Sequence, residues 1–228
     1  MAEPKNTSGQ ANLKMPGVVG AGRAGAAFEL SGGPLSLFAS RSYRRLCAGG
    51  MLLWFGQWSE RLVIGFLILN ETDSIFLTAA SFASRSAIGM VVAPVAGVLV
   101  DRFDRRSVLL ITSFVQAGVV AGLGLLAVGG LGVIWPVMVL VAINGASYSF
   151  SHPAMLALTT DLVSPSTRMT AVSVLSTGMR TVGVLGALIG GLVTDAFSAS
   201  PALFCSAVAL VLGGLTIPRI RYRNQSRE

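Results

Sequence analysis

Gln57, Glu60 and Arg61 sit three and four positions apart inside an otherwise apolar run. On a helix that spacing places an amide, a carboxylate and a guanidinium on one face, a turn apart. Ionisable groups within lipid are costly and mark function by default. Glu60 is thus a candidate proton carrier on a cavity wall. The structural alternative is a fixed ion pair with another helix. Arg85 and Arg180 fall at similar depth in two further apolar runs. They would attract an anionic or zwitterionic substrate, or pair with Glu60 or with carboxylates outside this chain. Asn144 and Tyr148, one turn apart in a fourth run, complete the candidate substrate or proton pathway. Three buried cations face a single acid, so something negative should compensate them.

A second cluster is a charged hinge, Gly-Val-Leu-Val-Asp-Arg-Phe-Asp-Arg-Arg, running from Gly97 to Arg106 between two apolar runs. Other chemistry is absent from the sequence. There is no HExxH, no paired aspartate and no Ser/His constellation within the apolar runs, so an enzyme is not expected. No Walker-type phosphate loop occurs. Cys47 and Cys205 lack CxxC spacing and read as small buried hydrophobes, with no metal site and no cofactor. His152, the single histidine, precedes Pro153 and reads as a boundary residue at the end of its run.

The elements that carry these residues follow from composition. The chain has 228 residues, of which 53% are hydrophobic and 12% charged. Soluble domains carry about 25% charged residues, so this chain cannot cover a water-facing surface. Apolar runs of about 18 residues or more mark membrane helices. They predict spans near 46–69, 75–100, 107–128, 132–156, 169–194 and 201–218. Residues 1–36 hold no continuous apolar stretch and read as a disordered cytoplasmic tail. Residues 37–218 form the transmembrane domain, and 219–228 a basic cytoplasmic tail or the start of a linker.

The net charge of +7 does not signal nucleic acid, because the aromatics are not interleaved with the basic residues. Instead, fourteen of the seventeen basic residues lie before span 1, between spans 2 and 3, between spans 4 and 5, or after span 6. The opposite loops hold only Glu71, Asp73 and Asp195. Basic loops stay in the cytoplasm, so both termini are expected there, in a multi-pass protein of the cell membrane.

Spans 1, 2, 4 and 5 carry polar residues, whereas 3 and 6 carry little beyond Ser113, Gln116 and Ser206. Spans 1, 2, 4 and 5 should therefore enclose an interior, with 3 and 6 facing lipid. The polar-polar-apolar pattern occurs twice and suggests a 3+3 repeat. A stripe of Ser173, Ser176, Arg180, Gly183, Ala187 and Gly190 reads as a close-packing face of span 5.

The hinge resembles the loop signature of the major facilitator superfamily, G-x-L-x-D-R-x-G-R-R/K. Gly97, Leu99, Asp101, Arg102, Arg105 and Arg106 match, with Asp104 at the usual glycine. Ser42 to Leu46 resembles the entry to helix 1 of the drug and siderophore exporter branch, which also shows the Asp104 variant. Ser151 to Ala154 and Asp161 to Val163 resemble its helix 4 exit. Leu185 to Gly191 resembles the helix 5 antiporter motif, with Ala187 where exporters usually have Pro. The resemblance covers roughly 37–220. It implies an all-α membrane protein with six transmembrane helices as a 3+3 repeat, half of a major-facilitator fold. It further implies a secondary transporter working by alternating access, with proton-coupled efflux of a small molecule such as a drug or siderophore. Gly97, Asp101, Arg102, Arg105 and Arg106 would form a gating latch, with Gly97 allowing close helix approach.

A full transporter of this kind has two such halves. The segment Arg219 to Arg223 resembles the start of the central linker, so a fragment of a longer transporter is expected. Association of two copies is the alternative way to complete it. The implied partners are the lipid bilayer, a small-molecule substrate and a second six-helix half or another copy, with no nucleic acid. The competing account is a non-transporting half-size membrane protein, either a remnant or an accessory subunit.

Overall fold

The computed structural model describes residues 37–130 and 134–219. The predicted 1–36 tail and nearly all of the 219–228 tail lie outside the described residues. Among the described residues there are six α-helices and no strand. They are α1 (Arg41–Thr72), α2 (Ile75–Arg102), α3 (Arg105–Gly129), α4 (Trp135–Asp161), α5 (Arg168–Ala196) and α6 (Ala199–Thr216). Each coincides with a predicted span to within a few residues.

Local chemistry sets the helix ends. Ser40, Ser74 and Asp104 each accept a backbone N–H from the third residue onward and so cap α1, α2 and α3. Asp73 takes the left-handed conformation, φ 48°, and its N–H bonds the Leu69 carbonyl to stop α1. With only Asp73 and Ser74 between them, α1 and α2 must reverse direction. Pro136 starts α4, where its missing N–H costs nothing. Pro94 and Pro153 lie inside α2 and α4, each deleting one helical donor.

Five of the six helices are long and apolar enough to cross a membrane. The exception is α4, which has 27 residues. Asn144, Ser147, Tyr148, Ser149, Ser151 and His152 cluster in its middle, so hydropathy alone does not mark it as a span.

In lipid there is little hydrophobic drive between helices, so close backbone approach and polar contacts hold them. α1 packs between α5 and α6, α3 packs on α4 and α6, and α2 packs on α4. A Cβ added at Gly186 would lie 2.5 Å from the Phe55 carbonyl oxygen, and one at Gly145 2.6 Å from that of Arg85. Only glycine allows those two crossings, α5 on α1 and α4 on α2.

Paired contacts fix the directions. The Tyr43 hydroxyl donates to the Ala171 carbonyl at 2.9 Å, joining the starts of α1 and α5. Arg105 reaches Asp161 at 2.6 Å, joining the start of α3 to the end of α4. Asp104 and Arg106 share a small pocket with Pro218, past the end of α6. The basic helix ends therefore gather at one end of the bundle.

Three expectations need correction. α3 and α6 are among the more buried helices, with Ser113, Gln116 and Ser206 all inside. α2 and α5, expected to help enclose an interior, are the least buried of the spans, because one face of each meets no other helix among the described residues. The stripe on α5 also divides. Gly183 and Gly190 are buried against α1, while Ser173 and Arg180 are exposed. The packing face is instead Ala171, Leu175, Met179, Gly183, Gly186 and Gly190. Of the two cysteines, Cys47 is buried but Cys205 is exposed.

Candidate functional site

Glu60 is completely buried on α1. Arg85 of α2 donates from Nη1 to both of its carboxylate oxygens, at 2.9 and 3.1 Å. Asn144 of α4 donates from Nδ2 to Oε1 at 2.9 Å. The close α2–α4 crossing at Gly145 sets Arg85 beside Asn144, so both reach one carboxylate. Three helices meet at this single anion.

One turn earlier, Gln57 donates to the Gln116 side-chain oxygen at 2.8 Å, and Gln116 donates on to Ser151 at 3.2 Å. This chain joins α1, α3 and α4. Ser206 of α6 donates to Ser59 of α1 at 2.8 Å. Gln116, Ser59 and Ser206 were not singled out in sequence, because a lone amide or serine on a largely apolar run carries no periodic signal.

Arg61 follows Glu60 in sequence but does not pair with it. Its guanidinium lies over the Trp58 ring at 5.1 Å and over the Tyr148 ring at 5.2 Å. Both are cation–π contacts. Tyr148 and His152 stack at 5.6 Å, and Trp54 lies 6.0 and 5.7 Å from them. His152 is therefore no boundary residue. It sits inside α4, one turn beyond Tyr148, as part of an aromatic cluster. The i+4 spacings Trp54/Trp58 and Tyr148/His152 were the available signal.

A cavity of about 550 Å³ opens between α1, α2 and α4. Arg61, Arg85, Tyr148 and His152 line it, together with Phe82 and Met90. Several buried side-chain atoms here have no hydrogen-bond partner: Arg61 Nε, Arg85 Nε and Nη2, Trp54 Nε1, Gln57 Oε1 and Asn144 Oδ1. Arg180 differs from Arg85 in being exposed. It is near enough to act electrostatically on Tyr148 and His152.

The hinge forms a separate cluster at the basic end. Asp104 accepts from the Ser107 backbone at 3.0 Å and its hydroxyl at 2.8 Å. Arg105 holds Asp161, while Asp101 and Arg102 are exposed and Arg106 is half-buried. Gly97 lines the cavity, but a Cβ there would meet nothing within 4 Å. The expected close helix approach at Gly97 is not made among the described residues.

Glycine-mediated crossings, a polar interior and an arginine-rich hinge define a polytopic helical membrane protein. The chain belongs to the Major Facilitator Superfamily, whose family model matches residues 46–228. It is similar to "Multidrug resistance protein 1" of Bacillus subtilis (strain 168), 27% identical over 141 residues, covering 61% of this chain and 34% of that protein. It is also similar to "Uncharacterized MFS-type transporter YqjV" of the same organism, 29% identical over 146 residues, covering 60% of this chain and 33% of that protein. The chain thus spans about a third of the length of the curated relatives it matches.

Proposed function

We propose that this chain is one half of a secondary transporter that expels a small molecule in exchange for protons by alternating access. The observation that carries the reading is the buried Glu60–Arg85–Asn144 cluster standing beside a cavity walled by arginine and aromatic side chains. An acid with no exposure is retained in lipid only where its charge is matched or used. Protonation of Glu60 would release Arg85 and loosen α2 from α1, which is the bistable element that alternating access requires. Efflux as the direction is suggested by the relative named Multidrug resistance protein 1.

The open faces of α2 and α5 would meet a second six-helix half or another copy of the chain. Met90, Val95 and Val98 on α2 and Val184, Leu188 and Leu192 on α5 are exposed apolar residues of those faces. Exposed Asp101 and Arg102, with the unfilled space at Gly97, would latch that partner at the basic end. Basic ends facing the cytoplasm would put both termini there. The helix pairings also fit a 3+3 repeat. Exchanging α1 with α4, α2 with α5 and α3 with α6 turns the α1–α5 contact into α4–α2 and the α1–α6 contact into α4–α3, and all four contacts exist.

The test is substrate-dependent proton flux in proteoliposomes with a trapped pH-sensitive dye, using the chain together with its second half. Flux should appear with some member of a panel of amphiphilic small molecules and vanish in Glu60→Gln. Equal flux in that variant removes Glu60 from coupling. No flux from correctly folded protein with any member of the panel removes the transporter reading.

A further inference from the structure

The charges around the cavity do not balance. Arg85 spends its charge on Glu60. Arg61 lies against the Trp58 and Tyr148 rings, and among the described residues no carboxylate lies within ion-pair distance of it or of Arg180. Arg61 thus lines the cavity without an ion-pair partner among the described residues, and exposed Arg180, which does not line it, adds a second positive charge close enough to act on Tyr148 and His152. The unpartnered atoms agree with this. Those that belong to cavity-lining residues are Arg61 Nε, Arg85 Nε and Arg85 Nη2, and all three are donors. The unpartnered acceptors belong to Gln57 and Asn144, which do not line the cavity. Arg85 lines the cavity but is only 7% exposed, so its free donors lie just beneath the cavity surface, out of contact with solvent.

The other wall is aromatic. Tyr148 and His152 stack at an interplanar angle of 29° and line the space, with Trp54 behind them. The Arg61 guanidinium carbon lies 5.2 Å from the centre of the Tyr148 ring. The volume of about 550 Å³ lies in the range of pockets for drug-sized molecules.

We infer that the molecule this cavity takes is an aromatic organic anion, with its acidic group on Arg61 and the free edge of Arg85 and its ring against Tyr148 and His152. A lipophilic cation is the opposite class. It would meet the unpaired charge of Arg61 on the cavity wall. Two donors on different helices can grip one carboxylate or phenolate, and the charge-assisted bonds they make are the strong kind. This inference names the substrate class of the transporter proposed above and rests on that reading.

The test is equilibrium binding by calorimetry to the full chain in zwitterionic-lipid nanodiscs, with empty nanodiscs as blank. The probes are 2-naphthoate, its neutral methyl ester and tetraphenylphosphonium. Saturable 2-naphthoate binding, tighter than that of the ester and weakened about tenfold or more by Arg61→Gln, is the expected result. Arg180→Gln changes an exposed residue, leaves folding intact and should also weaken the anion. Arg168→Gln, on the exposed start of α5, should change nothing. Equal affinity for acid and ester, or naphthoate binding unmoved by both Arg61→Gln and Arg180→Gln, overturns the anion assignment. Binding of tetraphenylphosphonium alone, tightened by Arg61→Gln, also overturns it while leaving the transporter reading in place. A helical, monodisperse chain that binds none of the three defeats both.

Discussion

Glu60→Gln separates charge from shape at the point where α1, α2 and α4 meet. Glutamine keeps the length of the side chain and one acceptor oxygen. It loses the negative charge that Arg85 contacts through two oxygens at 2.9 and 3.1 Å. Both partners are buried, Glu60 at 0% and Arg85 at 7% exposure, so water cannot replace the missing charge. Removing one partner of such a pair costs about 3–5 kcal/mol, because the other is left as an unmatched buried charge. Replacing both by uncharged groups of similar volume is often close to neutral. Glu60→Gln alone should therefore destabilise the bundle by about 3 kcal/mol or more, and adding Arg85→Met should return most of that. A double-mutant cycle isolates the term. Reversible unfolding in mixed micelles, followed by the fluorescence of Trp54 and Trp58 on the same helix, supplies the four free energies. A coupling energy within about 0.5 kcal/mol of zero would refute the claim that this pair ties α2 to α1.

Two glycines with opposite surroundings offer a paired comparison. Gly186→Leu forces a side chain onto the Phe55 backbone and should cost about 1–3 kcal/mol or prevent folding. A Cβ at Gly97 would meet nothing within 4 Å among the described residues, so the unfolding midpoint of Gly97→Leu should match the wild type, while assembly with a second half and transport should fall. Gly97→Leu protein that is both stable and fully active would remove Gly97 from any interface. At the basic end, Arg105→Ala breaks a 2.6 Å ion pair whose side chains are each 22% exposed. A partly solvated pair is worth about 1 kcal/mol or less, so the loss should be small and should shrink in high salt. Exchanging the two residues, Arg105→Asp with Asp161→Arg, should restore it, and a melt of the three proteins checks the set.

The helices and their order could be read directly from the chain. Long apolar runs broken by capped, charged turns have one answer in a bilayer, because every backbone N–H and C=O must be satisfied within its own segment. That argument needs no partner, so it predicted all six helices within a few residues, including α4, whose polar middle hides it from hydropathy. It also picked out Glu60, Arg85 and Asn144, since a polar group in lipid is conspicuous wherever its partner lies. The pairing was not legible. Glu60 has an arginine next to it in sequence, and nothing in the sequence says that it ignores Arg61 and takes Arg85, twenty-five positions away. That choice depends on Gly145 letting α2 and α4 touch and on the aromatic faces of Trp58 and Tyr148 holding Arg61 aside. The inward turn of α3 and α6 was decided the same way. One glutamine and one serine suffice once Gln57 and Ser59 stand opposite them. Periodicity depends on neighbours three and four positions apart, whereas which helix faces which depends on contacts between distant segments. For that reason the sequence alone determined a basic-ended bundle of six helices, five of them long and apolar enough to cross a membrane, with charges inside, and only the tertiary structure decided which of those charges are spent on each other and which are left for something else to meet.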